Sequence, residues 1–334
     1  MRIKTYGLAL ALFFLCSLFT AHCPLSYAMG VAPPIASPEA GLPSLEYVKD
    51  YGFAGSGNGQ FYFPQDVYVS VIGDISTGLG NLFVADTGNN RIQRLDESGS
   101  FSYQFGQFGM GAGQFNTPTG ITVDFNLYIY VVDQENSRIQ KFDIRGNSLK
   151  QWGSFGRENG QLIDPRGITL DNLGTLYVAD SGNDRIQKFD GDGNLLGSIG
   201  GFGFGDGFFD HPQDVAVDKE RNLYVADTNN HRIQKLDEYG QPLFSFGGIG
   251  SDPGKFNKPQ GVAVDDKYIY VTDTGNNRLQ IFTKKGVFLS VYGQKGYKSG
   301  DLNNPIGISV GKSGEIYVAD ANNHRIQKFK VTYK

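Results

Sequence analysis

From residue 45 to residue 330 the chain is written in short apolar and β-branched runs, cut by Gly, Asn and Asp. One stretch shows the pattern. Gly167 to Asp171 alternates after Pro165, and Thr175 to Asp180 follows a turn at Asn172 to Gly174. Arg185 to Asp190 comes next, and Leu195 to Gly200 follows Gly191-Asp192-Gly193-Asn194. Runs of this length bounded by such turn residues predict strands joined by hairpins. In the second run both faces are apolar, Leu176 and Val178 on one side and Tyr177 and Ala179 on the other. That suits a sheet held between two neighbours rather than one with a wet face. After residue 28 no segment has a 3.6-residue period, so almost no helix is expected.

The four-run pattern recurs. An eight-residue signature, Asp-x-x-Asn-x-Arg-(Ile/Leu)-Gln, begins at Asp86, Asp133, Asp180, Asp227, Asp273 and Asp320, at spacings of 47, 47, 47, 46 and 47 residues. A period in the forties with four strands per unit predicts radially arranged blades. The expected fold is an all-β, six-bladed β-propeller with four antiparallel strands per blade. Only four residues follow Lys330, too few for a fourth strand, whereas Leu45 to Gly52 stands in a fourth-strand position before the first unit. The N-terminal strand is therefore expected to close the last blade, which removes the exposed sheet edges of an open array.

Each fourth strand connects to the next first strand through a 13-residue loop with three recurrent glycines, such as Gly200, Gly203 and Gly207. A Phe or Leu stands three residues before each Pro (Phe61, Phe115, Leu162, Phe209, Phe256 and Leu302) and is expected to plug between blades. Blade 1 has 22 residues from Pro64 to Asp86 where the others have 14 or 15. The excess, at residues 71–79, is expected to be a dispensable turn insertion, since loop-closure entropy grows slowly with length.

The signature wording, as in Asn229-Asn230-His231-Arg232-Ile233-Gln234 and Asn322-Asn323-His324-Arg325-Ile326-Gln327, resembles the NHL repeat family of β-propellers. The resemblance extends over residues 45–330 and implies the same fold. For function it implies several classes: protein- or RNA-binding modules, sensor domains, and lyases or hydrolases. Amidating lyases of the NHL-like group hold zinc through His residues placed just after the Pro that opens the inner strand. Those positions here are Gln65, Thr119, Arg166, Gln213, Gln260 and Ile306, and His211 falls one residue before its Pro. A zinc site needs three or four ligands, so no metal or other cofactor is expected.

Residues 1–28 read as a signal peptide: Arg2 and Lys4, an apolar stretch from Tyr6 to Thr20, and Ser26-Tyr27-Ala28 as a cleavage site. Residues 29–44 read as a Pro- and Ala-containing tether, leaving 45–334 as the propeller. Both cysteines, Cys16 and Cys23, lie in the leader, so an exported chain (secreted or periplasmic) would carry no disulfide. Cleavage removes Arg2 and Lys4, taking the net charge from −4 to −6. That argues against nucleic acid as a partner, and once the leader is gone no membrane insertion is expected. The chain is expected to be a monomer.

Candidate chemistry is sparse. Six copies of the signature Asp and Arg cannot share one chemical centre, so they are assigned to the turn, with the Asn accepting a left-handed conformation. Gly307 to Ser313 is one residue short of a phosphate loop and precedes a strand. Asp190 to Asn194 begins like a calcium loop, but Leu195 replaces the required Gly. Departures from the repeat carry more information. The residues after each Pro should ring the axis at the mouth where the inner strands begin. One step further in, Asp66 and Asp214 replace the Gly of the other four blades. Gln65, Gln213, Gln260, Arg166, Asp66 and Asp214 are the candidate ligand-binding set, with the two carboxylates expected to hold Arg166 or meet a polar ligand. Phe202, Phe204, Phe208 and Phe209 form a second departure, suited to a partner or to interblade packing. The resulting reading is a binding or scaffold module for a protein or a small polar or anionic ligand. The alternative is a lyase or hydrolase working in the central funnel.

Overall fold

The computed structural model describes residues 41–70 and 80–333. Leader residues 1–28, most of the tether and residues 71–79 lie outside this range, and with them the expected blade 1 insertion. The described chain forms six four-stranded antiparallel sheets. Blade 1 runs Asp66–Ser70, Asn81–Asp86, Arg91–Asp96 and Phe101–Phe105, and blade 3 runs Pro165–Leu170, Leu176–Asp180, Arg185–Phe189 and Leu195–Gly200. Among the described residues the sole helical pieces are single 3-10 turns of three residues in the signatures, as at Ser181–Asn183.

Blade 6 takes Pro305–Val310, Ile316–Asp320 and Arg325–Tyr333 from the C-terminal end and Pro43–Tyr51 from the N-terminal end. The closing strand starts two residues earlier than expected, and its partner runs on to Tyr333. Pairing extends from Pro43 opposite Tyr333 to Tyr51 opposite Ile326, with a bulge between Tyr47 and Lys49. These two nine-residue strands are longer than the four- to six-residue strands elsewhere among the described residues. The seam is the one place where the outer strands of a blade are not continuous in sequence, so extra pairing compensates for the missing covalent link. Arg325 adds an ion pair across the seam, Nη1 to Asp50 Oδ2 at 3.2 Å.

Apolar side chains from facing sheets fill each junction between blades. In blades 3 and 4, Tyr177, Ala179 and Ile186 meet Val215, Leu223 and Val225. All six plug residues are fully buried, each bridged to a mouth-loop residue, as in Phe202 to Phe209. The loop glycine before each bridge is required for two reasons. Gly200 has a φ of +90°, and a Cβ there would lie 2.4 Å from the Phe209 ring.

The signature turn differs from expectation in one detail. The left-handed residue is not the Asn but the one after it: Asn90, Ser137, Asp184, His231, Asn277 and His324, with φ between 50° and 56°. Its side chain usually reaches the next blade, accepting the N–H of the residue before the following Pro. Asn90 Oδ1 takes Thr117 N–H at 2.9 Å, and Asn277 Oδ1 takes Asn304 N–H at 2.9 Å. His231 Nδ1 takes Lys258 N–H at 3.0 Å, and His324 Nδ1 takes Phe63 N–H at 3.0 Å. An imidazole can accept this bond only when neutral.

Two predictions follow from the closure and the junctions. A chain beginning at residue 53 should lose the single cooperative unfolding transition of a chain beginning at residue 41, because blade 6 then has an open edge. Equal denaturation midpoints for the two would show that closure contributes nothing. The second concerns acid. Burial, reinforced by the charge of Lys258, pushes the His231 imidazole below its ordinary value. A His held neutral in the fold contributes stability that is complete above its unfolded pKa of about 6.5 and lost as the pH falls below it. The urea midpoint should therefore drop between pH 7 and pH 5. His231→Asn, which restores the acceptor used in blades 1 and 5, should flatten that drop; an unchanged slope would exclude His231 as its source.

Candidate functional site

The mouth is built by the inner strands. Each begins at its Pro or, in blades 1 and 5, two residues after it, and the Pro ends the preceding loop. The six residues after Pro (Gln65, Thr119, Arg166, Gln213, Gln260 and Ile306) line a single axial cavity. Asp66, Gly120, Gly167, Asp214 and Gly307 line it one step deeper. Its volume is about 30 Å³, room for roughly one or two waters. The ring expected from the spacing is thus assembled at one opening.

The two carboxylates do not pair with Arg166, the first of the two roles expected of them. Asp66 Oδ1 accepts its neighbour Val67 N–H at 2.8 Å, and Oδ2 accepts Ile121 N–H of blade 2 at 3.0 Å. Asp214 repeats this on the opposite side, with Val215 N–H at 2.8 Å and Val262 N–H of blade 5 at 3.0 Å. Each also abuts a glycine of the preceding blade: a Cβ on Gly307 would lie 2.3 Å from Asp66 Oδ1, and one on Gly167 2.2 Å from Asp214 Oδ1. Each carboxylate therefore spans three blades, and the order Asp-Gly-Gly repeats twice around the ring. That is the physical reason for the Gly-to-Asp departures.

The two carboxylates also border a second axial void of about 150 Å³ on their far side, beside Val67, Ile121 and Ile168. What exposure they keep is to the channel. Burial pushes the Asp66 carboxyl up to about 7 against the pull of its two backbone N–H donors. Burial, then repulsion from Asp66, raises Asp214 well above the carboxylate range.

Arg166 pairs instead with Asp164, two residues upstream. Its Nη2 lies 3.1 Å from Asp164 Oδ1, and its Nη1 donates to Gln65 Oε1 at 3.4 Å. Gln134 of blade 2 donates to the same Asp164 oxygen. Asp164 stands immediately before Pro165, outside the post-Pro positions from which the candidate set was drawn. Among the described residues Arg166 Nε is buried without a partner. Thr119 Oγ1 donates to Arg166 O at 3.2 Å. The side-chain amides of Gln213 and Gln260 make no hydrogen bond to the described residues, so their donors and acceptors are left for solvent or a ligand. The mouth thus offers two unengaged amides, a compensated guanidinium and an alkyl group, with no nucleophile paired to a base.

The phenylalanine cluster divides. Phe209 is the buried plug, whereas Phe202 and Phe204 are 64% and 71% exposed and meet edge to face at 5.7 Å between ring centres. Phe208 is also exposed.

The profile of the NHL repeat matches residues 162–189, 209–236, 256–282 and 302–329, each match starting at a plug residue. A six-bladed β-propeller domain profile matches residues 64–155. No curated protein matches in sequence. Among solved structures the chain is similar to a streptogramin B lyase, with 17% identity, a TM-score of 0.58, and coverage of 87% of this chain and 98% of the lyase. An auxiliary nutrient binding protein from Bacteroides thetaiotaomicron shares 14% identity at a TM-score of 0.59, over 86% of this chain and 73% of that one. A chain of a nidogen/laminin complex shares 17% identity at a TM-score of 0.56, over 80% of this chain and 97% of that one. At these identities the likeness is one of fold. With signatures, blade count and closing strand all in place, the chain is an NHL-repeat six-bladed β-propeller.

Proposed function

We propose that this propeller is an exported binding module that holds a polar ligand, or a polar group of a protein partner, at its axial mouth. The observation that carries the reading is a division within the repeat. The recurrent residues are consumed by turns, plugs and loop anchoring. The positions after each Pro vary from blade to blade and converge on one opening, where the Gln213 and Gln260 amides are unengaged. Arg166 shares its charge with Asp164, so it acts as an oriented donor rather than a bare cation. A ligand presenting carbonyl, hydroxyl or carboxylate oxygen fits this set. Export rests on the reading of residues 1–28, and the net charge of −6 after cleavage speaks against nucleic acid. A lyase in the funnel has less support, since both axial carboxylates are tied to backbone N–H groups.

The test is a calorimetric and thermal-shift screen of sugars, amino acids, small carboxylates and phosphates, together with exported proteins of the source. A ligand bound by the wild type should lose about 10–100-fold in affinity in Arg166→Gln and in a Gln213→Ala, Gln260→Ala double variant, the range for hydrogen bonds worth ~1.5–3 kcal/mol. Folding should be unaffected, because the repeat tolerates different residues there. Identical profiles for all three proteins would remove the mouth from the argument and leave the exposed Phe202, Phe204 and Phe208 loop as the contact surface.

A further inference from the structure

At the rim of the mouth, between blades 3 and 4, two side chains adjacent in sequence meet a third from the preceding blade. Asp184 is the left-handed residue of the blade 3 signature turn. Asp210 and His211 end the loop that enters blade 4 at Pro212. One oxygen from each carboxylate and one nitrogen of the imidazole lie within 4.8 Å of one another. His211 Nδ1 is 3.4 Å from Asp210 Oδ1 and 3.6 Å from Asp184 Oδ1.

These separations are informative. A charge-assisted N–H···O⁻ hydrogen bond spans about 2.7–2.9 Å, so both contacts are too long for one. Two donors each about 2.0–2.1 Å from a tetrahedral zinc ion lie roughly 3.3–3.4 Å apart. The imidazole nitrogen thus stands from both carboxylate oxygens at the spacing of co-ligands. We propose that Asp184, Asp210 and His211 form a binding site for a divalent metal ion of the zinc type.

Three further observations support the assignment. Outer partners orient the carboxylates: His211 N–H donates to Asp184 Oδ1 at 2.8 Å, and Asn229 Nδ2 donates to Asp210 Oδ1 at 2.9 Å. Such outer hydrogen bonds hold metal ligands in place, and each carboxylate oxygen keeps a further lone pair for the ion. The site is also accessible, with side-chain exposures of 48% for His211, 17% for Asp184 and 21% for Asp210. Finally, no other junction combines these donors. The position of Asp184 holds Asn, Ser or His in the other blades, and that of His211 holds Phe, Thr, Asp, Lys or Asn. One imidazole with two carboxylates suits zinc, manganese or iron(II), whereas calcium takes six to eight oxygens. Three protein donors leave at least one position for water or a ligand group. In sequence His211 stands one residue before its Pro, outside the post-Pro positions, and Asp184 arrives from the neighbouring blade only in the fold.

The repeat itself supplies the test variants. Asn304 occupies the His211 position in blade 6, and Asn90 and Asn277 occupy the Asp184 position in blades 1 and 5. His211→Asn and Asp184→Asn should therefore fold, which melting curves would verify. Chelator-stripped protein would be titrated with zinc by calorimetry and with cobalt(II) by visible absorption. The wild type should take up one equivalent. Both variants should lose about 100-fold or more in affinity, and Asn229→Ala about 10–100-fold. No stoichiometric uptake by the wild type would overturn the proposal. So would equal uptake by His211→Asn, which would place the ion on other surface carboxylates.

Discussion

The structure depends on one buried carboxylate, used six times. In blade 3 Asp180 is fully buried. Its Oδ2 receives Arg185 Nε at 2.8 Å, Gln187 Nε2 at 2.9 Å and Asn183 Nδ2 at 2.9 Å, and its Oδ1 receives Ile163 N–H at 2.8 Å. A buried carboxylate without such partners would cost several kcal/mol. With them it becomes the node that fastens the mouth loop to its blade. Arg185 Nη2 also donates to Glu158 O and Gln161 O, while Gln187 donates to Gln161 O and takes Gly160 N–H. The charged and amide groups of the signature are thereby spent mainly on positioning a loop that has no regular structure of its own. This is why the same eight residues recur at each junction and why none is free for chemistry.

The fold was legible because its constraints are periodic. Strand alternation, plug residues, loop glycines and the missing fourth strand each recur or fail to recur at a fixed interval. The residues ringing the mouth were legible for the same reason, since one Pro marks each inner strand. What could not be read was the choice of partner between side chains. Pairing of Arg166 with Asp66 and Asp214 was one of two expected arrangements, because all three were expected near the axis. Yet a carboxylate two residues upstream, at the end of the loop, needs no reach across the opening, and Asp164 takes the pair. The left-handed residue after the signature Asn was likewise missed. A signal for it exists: Asn90 and Thr117, Asp184 and His211, His231 and Lys258, and Asn277 and Asn304 are all 27 residues apart. Comparing columns of the repeat at that offset would have exposed the junction.

Asp66 and Asp214 show how a departure from a repeat can serve structure and site together. The ring has room for a carboxylate only where the preceding blade supplies a glycine, and Gly307 and Gly167 do so. Placed there, each carboxylate caps backbone N–H groups of its own strand and of the next blade. The consequence at the axis is a channel narrowed by two acidic groups that burial drives toward the protonated form. A mouth ligand would therefore meet amide and guanidinium groups before it met negative charge.

Around this polar centre the mouth loops carry apolar side chains outward. Phe108, Phe155, Phe202 and Ile249 occupy one position in four consecutive loops, and all are exposed. Their backbones are not loose: each is bridged to the plug residue of its own loop, Phe115, Leu162, Phe209 or Phe256. The plugs are buried between blades, so the exposed residues are anchored to the core at a separation of seven positions. A side chain held in this way loses little freedom when a partner covers it, and preorganisation of that kind favours association. The buried carboxylate that fixes the loops thus also anchors their exposed face, which is the physical link between the repeat and the binding role proposed for the mouth.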